Sequence, residues 1–233
     1  MRKSSMPCAQ CNKRGDGVFC TLPENTLSHL DASKSAHQYE TGQTLFHQGN
    51  DAYGLYYIQA GKIKIYETDN EGNQQIIKIS GEGDMVGYDA LLSNTPHPNT
   101  AEVIEASKVC FIPKSTFLQL ISEHAPTHFK ITQQIARELS EAQHRLTQMA
   151  HKNVRERFAE VLLRLGEKHG LKTAQGTIIQ LHLSRQTLAE FIGSSQESVI
   201  RLVTEFKRDE LITEDEHFII LINMPGLIKT SGA

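Results

Sequence analysis

The stretch PTHFKITQQIARELSEAQHRLTQMAH, from Pro126 to His151, threads one apolar stripe through an otherwise polar run. Ile135, Leu139, Ala142, Leu146 and Met149 recur at gaps of four, three, four and three, which is a heptad seam. Gln134, Arg137, Glu138, Glu141, Gln143 and Arg145 fill the other faces. Pro126 stands where a helix tolerates proline, near its first turn, and no Gly or Pro follows it. A single helix with one apolar stripe must bury that stripe, on its own domain or against a second copy. The halves on either side are patterned differently, which favours a homodimer seam with a sensor before it and an effector after it.

The chain of 233 residues is long enough for two modest domains, and its 39% hydrophobic content supports real cores. A net charge of -3 does not advertise nucleic-acid binding by the molecule as a whole. No window approaches the roughly 18 apolar residues of a membrane span, so no membrane partner is expected. The start, MRKSSMPCAQCNKR, lacks the apolar region of a signal peptide, which predicts a cytoplasmic protein. In that reducing setting, four cysteines read as metal ligands, redox groups or buried apolar residues rather than disulfides.

Cys8, Cys11 and Cys20 form a C-x2-C-x8-C run, and Cys110 lies far downstream. A thiolate quartet suits zinc or an iron–sulfur cluster. Three clustered cysteines plus a remote one suit a loop folded over a cluster better than a zinc ribbon of two close pairs. Lys13 and Arg14 would offset the negative charge of such a site, and Val18 and Phe19 could shield it. Unrelated cysteines, with Cys110 a buried strand residue, are the alternative.

Between Gly42 and Gly87 the pattern changes to short alternating segments, Leu55–Ile58, Lys62–Tyr66 and Gln75–Ile79, separated by Gly-centred turns. This predicts antiparallel strands closing into a small sandwich or barrel, with Asp69–Asn73 a hairpin tip.

After the seam, Val154, Phe158, Val161, Leu162 and Leu165 mark another amphipathic helix. Ser184 then caps a short helix through Phe191, Gly193 makes a turn, and Ser195 caps a second helix to about Lys207. A strand pair, Leu211–Thr213 and Phe218–Ile222, completes a winged helix-turn-helix. The start of its second helix presents Gln196, Glu197, Ile200 and Arg201. An Arg fork matches guanine, a carboxylate accepts from cytosine N4, and Gln can address adenine. Ser194, Ser195 and Ser198 are candidate phosphate contacts, which position without specifying. From His151 onward eleven Lys and Arg balance eleven Asp and Glu, so DNA binding there must rely on local cations, helix dipoles and dimer avidity. The acidic wing tip Glu214-Asp215-Glu216 is expected to point away from phosphate.

Gly42, Gly49, Gly61 and Gly87, with Leu45-Phe46, Ala52, Ile58 and Ile63 between them, resemble the cyclic-nucleotide-binding β-roll. Nucleotide-binding members of that fold hold the phosphate with a Gly-Glu pair and an Arg before a small residue and Ala. Gly87-Tyr88 and Asn99-Thr100-Ala101 stand at those places here. A cyclic phosphate would lack its charge-assisted contacts, so a cyclic nucleotide is not expected. Another small ligand near Tyr88 and Thr100 stays open.

β-roll, long helix and winged helix-turn-helix in this order resemble the CRP/FNR family of bacterial transcription factors. The stretch GDMVGYDALLSNTPHPNTAEVIEASKVCFIP is similar to its oxygen-sensing branch and contains Cys110. The resemblance implies an α+β chain in four parts: a cysteine-rich segment 1–30, a β-roll 31–120, a dimerisation helix 121–151 and a winged helix-turn-helix 152–233. It implies that Cys8, Cys11, Cys20 and Cys110 ligate a [4Fe-4S] cluster. The partners it implies are a second copy, a palindromic duplex with a TGA-type half-site core read by Glu197 and Arg201, and RNA polymerase; no enzymatic activity is implied. Two features depart from the family pattern: a longer interval between Cys11 and Cys20, and Ile200 where the oxygen sensor has Ser before the Arg. A zinc or thiol redox regulator and a small-molecule-responsive regulator remain the alternatives.

Overall fold

This computed structural model describes residues 18–19, 22–215 and 218–232, with backbone alone for 148–150. Cys8, Cys11, Cys20, Glu216 and the Met149 side chain therefore lie outside the described residues. The chain divides into two units between Leu139 and Ser140.

The first unit begins with α1 (Glu24–Ser33) and continues through β1 (Ser35–Tyr39), β2 (Thr44–Phe46), β3 (Gly54–Thr68), β4 (Gln74–Ser80) and β5 (Met85–Val86). Then come α2 (Tyr88–Ser93), β6 (Thr100–Pro113), α3 (Lys114–Glu123) and the opening of α4 (Ala125–His151). The strands pair antiparallel in the order β1-β6-β3-β4, with β2 also on β6 and β5 on β3. The hairpin between β3 and β4 is tied by the Asp69 carboxylate, which accepts from the Glu71 and Asn73 N–H groups at 2.8 and 2.9 Å.

One expectation is corrected here. Leu55–Ile58 and Lys62–Tyr66 are not two strands around a turn but one 15-residue strand, β3. Gly61, at φ +90°, absorbs a run of bulges while pairing with β6 resumes on both sides, Ile58 opposite Val109 and Lys62 opposite Glu105. A Cβ at Gly61 would collide with Ser107, so the bulge requires glycine.

Two apolar clusters fill this unit. One gathers Leu55, Tyr57, Met85, Tyr88, Leu91, Cys110, Ile112, Phe117, Leu120 and Ile131 with the α1 leucines, and Val18 and Phe19 pack against it. The other gathers Phe46, Ile58, Ile63, Ile65, Val86, Ala101, Val103 and Val109. Ile131 is the α4 residue that anchors the helix in the first cluster; burying a side chain of this size stabilises by about 1.5–3 kcal/mol. The 27 residues of α4 extend about 40 Å at 1.5 Å per residue.

The second unit contains the end of α4 and then α5 (Val154–His169), β7 (Gly170–Thr173), β8 (Gly176–Ile179), α6 (Arg185–Ile192) and α7 (Gln196–Arg208). It closes with β9 (Ile212–Asp215), β10 (Phe218–Leu221) and α8 (Met224–Thr230). Asn153 and Glu156 make a reciprocal capping box that starts α5. The wing is larger than the strand pair expected: β7 and β8 join it in a sheet of order β7-β8-β10-β9. Phe158 of α5 and Phe206 of α7 meet edge to face at 5.0 Å in the core.

Candidate nucleic-acid interface and sensor core

Helices α6 and α7 are built by their caps. The Ser184 hydroxyl accepts from the Thr187 N–H at 2.9 Å, and Ser195 accepts from the Ser198 N–H at 3.2 Å. Gly193, in the left-handed region at φ 60°, turns the chain between them. Val199, Leu202, Val203 and Phe206 bury one face of α7. The opposite face leaves Gln196, Glu197, Ile200 and Arg201 exposed.

The expected contact residues thus share one exposed helix start. Arg201 donates to Ser198 Oγ at 3.2 Å, and Ser198 and Ser195 hydroxyls lie 3.1 Å apart, so the guanidinium is steadied by the cap itself. Glu197 is held below the ordinary carboxylate range by its own N–H at the helix start, by the Ser195 hydroxyl and by the charge of Arg201. Ser194 is half-buried in the turn, its N–H spent on the Ala189 carbonyl. The exposed α7 start therefore offers a fork of donors, an acceptor carboxylate and small hydroxyls, a set fit for base edges and phosphates.

Sequence reading missed the partners of the wing acid. Glu214 of β9 turns back onto both helices, pairing with Arg185 at 2.5 Å and Lys207 at 3.0 Å. Burial pushes the Glu214 carboxyl up, but these two cations outweigh it and hold the group below its usual range.

On α4 the seam residues Ile135, Leu139 and Leu146 are 42, 58 and 69% exposed, and Ala142 is exposed too. Phe129, which the heptad pattern did not include, is 64% exposed on another face of the same helix. Gln134 and Glu138, expected on a solvent face, instead lie on the Ile131 side of the helix. Lys78 of β4 donates to Glu138 at 2.7 Å, and Gln134 donates to the same carboxylate at 3.3 Å. The Tyr88 phenol is buried without a well-aligned hydrogen bond; burial first, then the nearby Glu138 charge, raises it above the ordinary tyrosine range.

Cys110 is 2% exposed on β6, opposite Ala36 of β1 and Tyr57 of β3. The Phe19 ring lies 6.0 Å from that of Tyr57, which places the residue preceding Cys20 in sequence over the Cys110 neighbourhood. Among the described residues no three His, Cys, Asp or Glu side chains converge as a metal site; the other three cysteines are outside that set. His124, between the end of α3 and the start of α4, bonds Thr127 at 2.8 Å.

Beside Gly87, His97 stacks on Phe46 with ring centres 3.8 Å apart. A Cβ on Gly87 would meet His97 at 3.0 Å and Phe46 at 3.2 Å, so the ground is tightly filled. Thr100 is buried with its hydroxyl accepting from the Gln48 N–H at 3.0 Å, and Tyr88 is buried in the core. An open cleft of about 490 Å³ lies elsewhere on this unit, lined by His37, Gln38, Tyr39, Gln43, Thr44 and His47.

Residues 36–124 match the family described as Cyclic nucleotide-binding domain, and residues 156–230 match the Crp-like helix-turn-helix domain. The chain belongs to the CRP/FNR family of transcriptional regulators. This CRP/FNR regulator is 28% identical to the fumarate and nitrate reduction regulatory protein of Yersinia pestis, over 97% of this chain and 90% of the relative. It is 26% identical to the anaerobic regulatory protein of Aggregatibacter actinomycetemcomitans, over 97% and 88% of the two chains. The solved structure of FixK2 from Bradyrhizobium japonicum superposes with a TM-score of 0.76 at 22% identity, covering 86% of this chain and 98% of that one. The c-di-GMP responsive regulator CLP of Xanthomonas campestris gives 0.75 at 22% identity, covering 86% and 100%. These relatives are regulators and not enzymes, and this chain is a DNA-binding regulator of the same type. No helix among the described residues is long and apolar enough to cross a membrane.

Proposed function

We propose that this CRP/FNR regulator is an oxygen sensor that binds palindromic DNA as a homodimer and is gated by a [4Fe-4S] cluster on Cys8, Cys11, Cys20 and Cys110. The observation that carries the reading is the company of Cys110: its buried thiol shares an apolar cluster with Val18 and Phe19, the residues leading to Cys20 in sequence. The donor chemistry fits, since four thiolates suit a cluster of this type and an apolar surround limits access to solvent. When bound, the cluster supplies an oxygen-labile cross-link between the amino-terminal segment and β6.

The chain's own residues supply the rest. Phe19 packs on Tyr57, next to Cys110 across the β3–β6 pairing, so ordering the amino-terminal segment bears on this cluster of side chains. Tyr88 and Ile131 belong to the same cluster, and Ile131 and Glu138 are α4 residues. A change at Cys110 therefore has a packed route to the helix that carries the seam. Pairing of Ile135, Leu139, Ala142 and Leu146 with a second copy, with Met149 continuing the seam, would set two α7 helices to read adjacent half-sites. Glu197 and Arg201 would read a TGA-type core, Gln196 and Ile200 its edges, and Ser194, Ser195 and Ser198 the phosphates. RNA polymerase is the partner that a regulator of this kind addresses. The His97–Phe46 stack over Gly87, and the absence of an Arg where the phosphate-binding one would stand, support this reading over a cyclic nucleotide.

The test is purification without oxygen. A brown protein with about four iron and four sulfide per protomer, bleaching in air, is expected. Cys110→Ala should abolish the colour while keeping the fold. A colourless wild-type protein carrying one zinc, or colour unaffected by Cys110→Ala, refutes the cluster assignment.

A further inference from the structure

We propose that Glu214 is an internal phosphate mimic that withholds Arg185 and Lys207 from the DNA backbone, so that one wing acid sets the regulator's background affinity for DNA. The inference rests on DNA binding through α7, and on neither the cluster nor the half-site assignment.

Three elements meet at this carboxylate. Arg185 opens α6, Lys207 lies in the last turn of α7, and Glu214 reaches both from β9. Each oxygen takes one cation: Oε1 accepts from Arg185 Nη2 and Oε2 from Lys207 Nζ. Residues 196, 200 and 207 fall within about 40° of one another around α7, at 100° per residue. Lys207 thus extends, about 16 Å along the axis, the face that carries Gln196 and Ile200. The Arg185 and Lys207 side chains remain 30 and 46% exposed, so an incoming phosphate can reach them.

A carboxylate and a phosphate offer these cations the same charge-assisted bonds, and each cation paired with Glu214 is one that releases no DNA counterion. The effect is large for this domain, because the eleven cations after His151 are already balanced by eleven acids. An acid here lowers attachment to arbitrary sequence and leaves discrimination to the α7 start.

The full-length protein is titrated onto a short labelled duplex of mixed sequence across roughly 50–200 mM salt. Glu214→Gln keeps the side chain's shape and removes its charge. It should bind roughly tenfold more tightly near 0.1 M salt, with a log–log salt slope steeper by about 0.9–1.8 per protomer. Lys207→Gln alone should leave the slope unchanged, yet cancel about half the gain in the Glu214→Gln background. Unchanged or weaker binding by Glu214→Gln, with an unaltered slope, makes Glu214 a structural strut and overturns the proposal. So does a slope flattened by about one unit in Lys207→Gln alone, which holds even if Glu214→Gln fails to fold. A wild-type protein that binds no duplex at low salt removes the DNA-binding premise instead.

Discussion

Replacing Leu139 by Glu should break the proposed homodimer while leaving each chain folded. Ile135, Leu139 and Leu146 are 42, 58 and 69% exposed in the single chain, a state that costs little to leave and gains much when covered. Closing that exposure against a second copy buries roughly three whole aliphatic side chains per dimer, at about 2 kcal/mol each. Leu139 alone, counted from both copies, contributes about 2–3 kcal/mol of this, and two facing carboxylates add repulsion. The dimer dissociation constant should therefore rise roughly 30- to 150-fold. Sedimentation equilibrium over a range of concentrations measures it, with circular dichroism as a check that α4 persists. Gln133→Glu, exposed on the far side of the helix from the seam, serves as the control and should leave association unchanged. Equal association of Leu139→Glu and wild type would show that the stripe is not the seam.

Arg201→Gln should weaken binding to an inverted TGA-type site by about 1–3 kcal/mol and relax preference at the base it reads, as scored by anisotropy with base-substituted duplexes. Ser195→Ala removes the cap of α7 and should cost about 1 kcal/mol, seen as a lower Tm, together with weaker DNA binding because Ser198 and Arg201 lose their anchor. Acid stability should report on Glu138. Burial pushes its carboxyl up, but the Lys78 charge and the hydrogen bonds from Lys78 and Gln134 outweigh that and hold it below the ordinary range. A folded-state value below the unfolded one means the contribution is complete above the ordinary carboxylate range and is lost as pH falls through the folded value. Glu138→Gln should flatten the acid limb of the stability curve by under about 1 kcal/mol, since the pair is partly exposed; an identical limb would contradict the pairing.

Features written in local pattern were legible. Caps at Ser184 and Ser195, a glycine turn and alternating buried positions in α7 specify a helix-turn-helix over a few turns, and the heptad marks its own stripe. What depends on distant pairing was not legible. Gly61 reads alike as a turn or a bulge, and only its β6 neighbours decide, because the strand continues when both flanks find partners. The hairpin of β7 and β8 is short and exposed along β7, so no alternation announces it. Glu138 looked solvated because Lys78 lies sixty residues away, and Glu214 looked like an idle acid because Arg185 and Lys207 come from two other elements.

The central claim is that oxygen acts on DNA binding through the amino-terminal thiols and Cys110. It is tested most directly by titrating one anaerobically purified sample onto an inverted TGA-type duplex before and after exposure to air, beside Cys110→Ala handled identically. The account predicts tight binding without oxygen, loss of that binding as the colour bleaches, and a variant that binds weakly in both conditions. Equal binding before and after air, or a Cys110→Ala protein that still responds to oxygen, would contradict it.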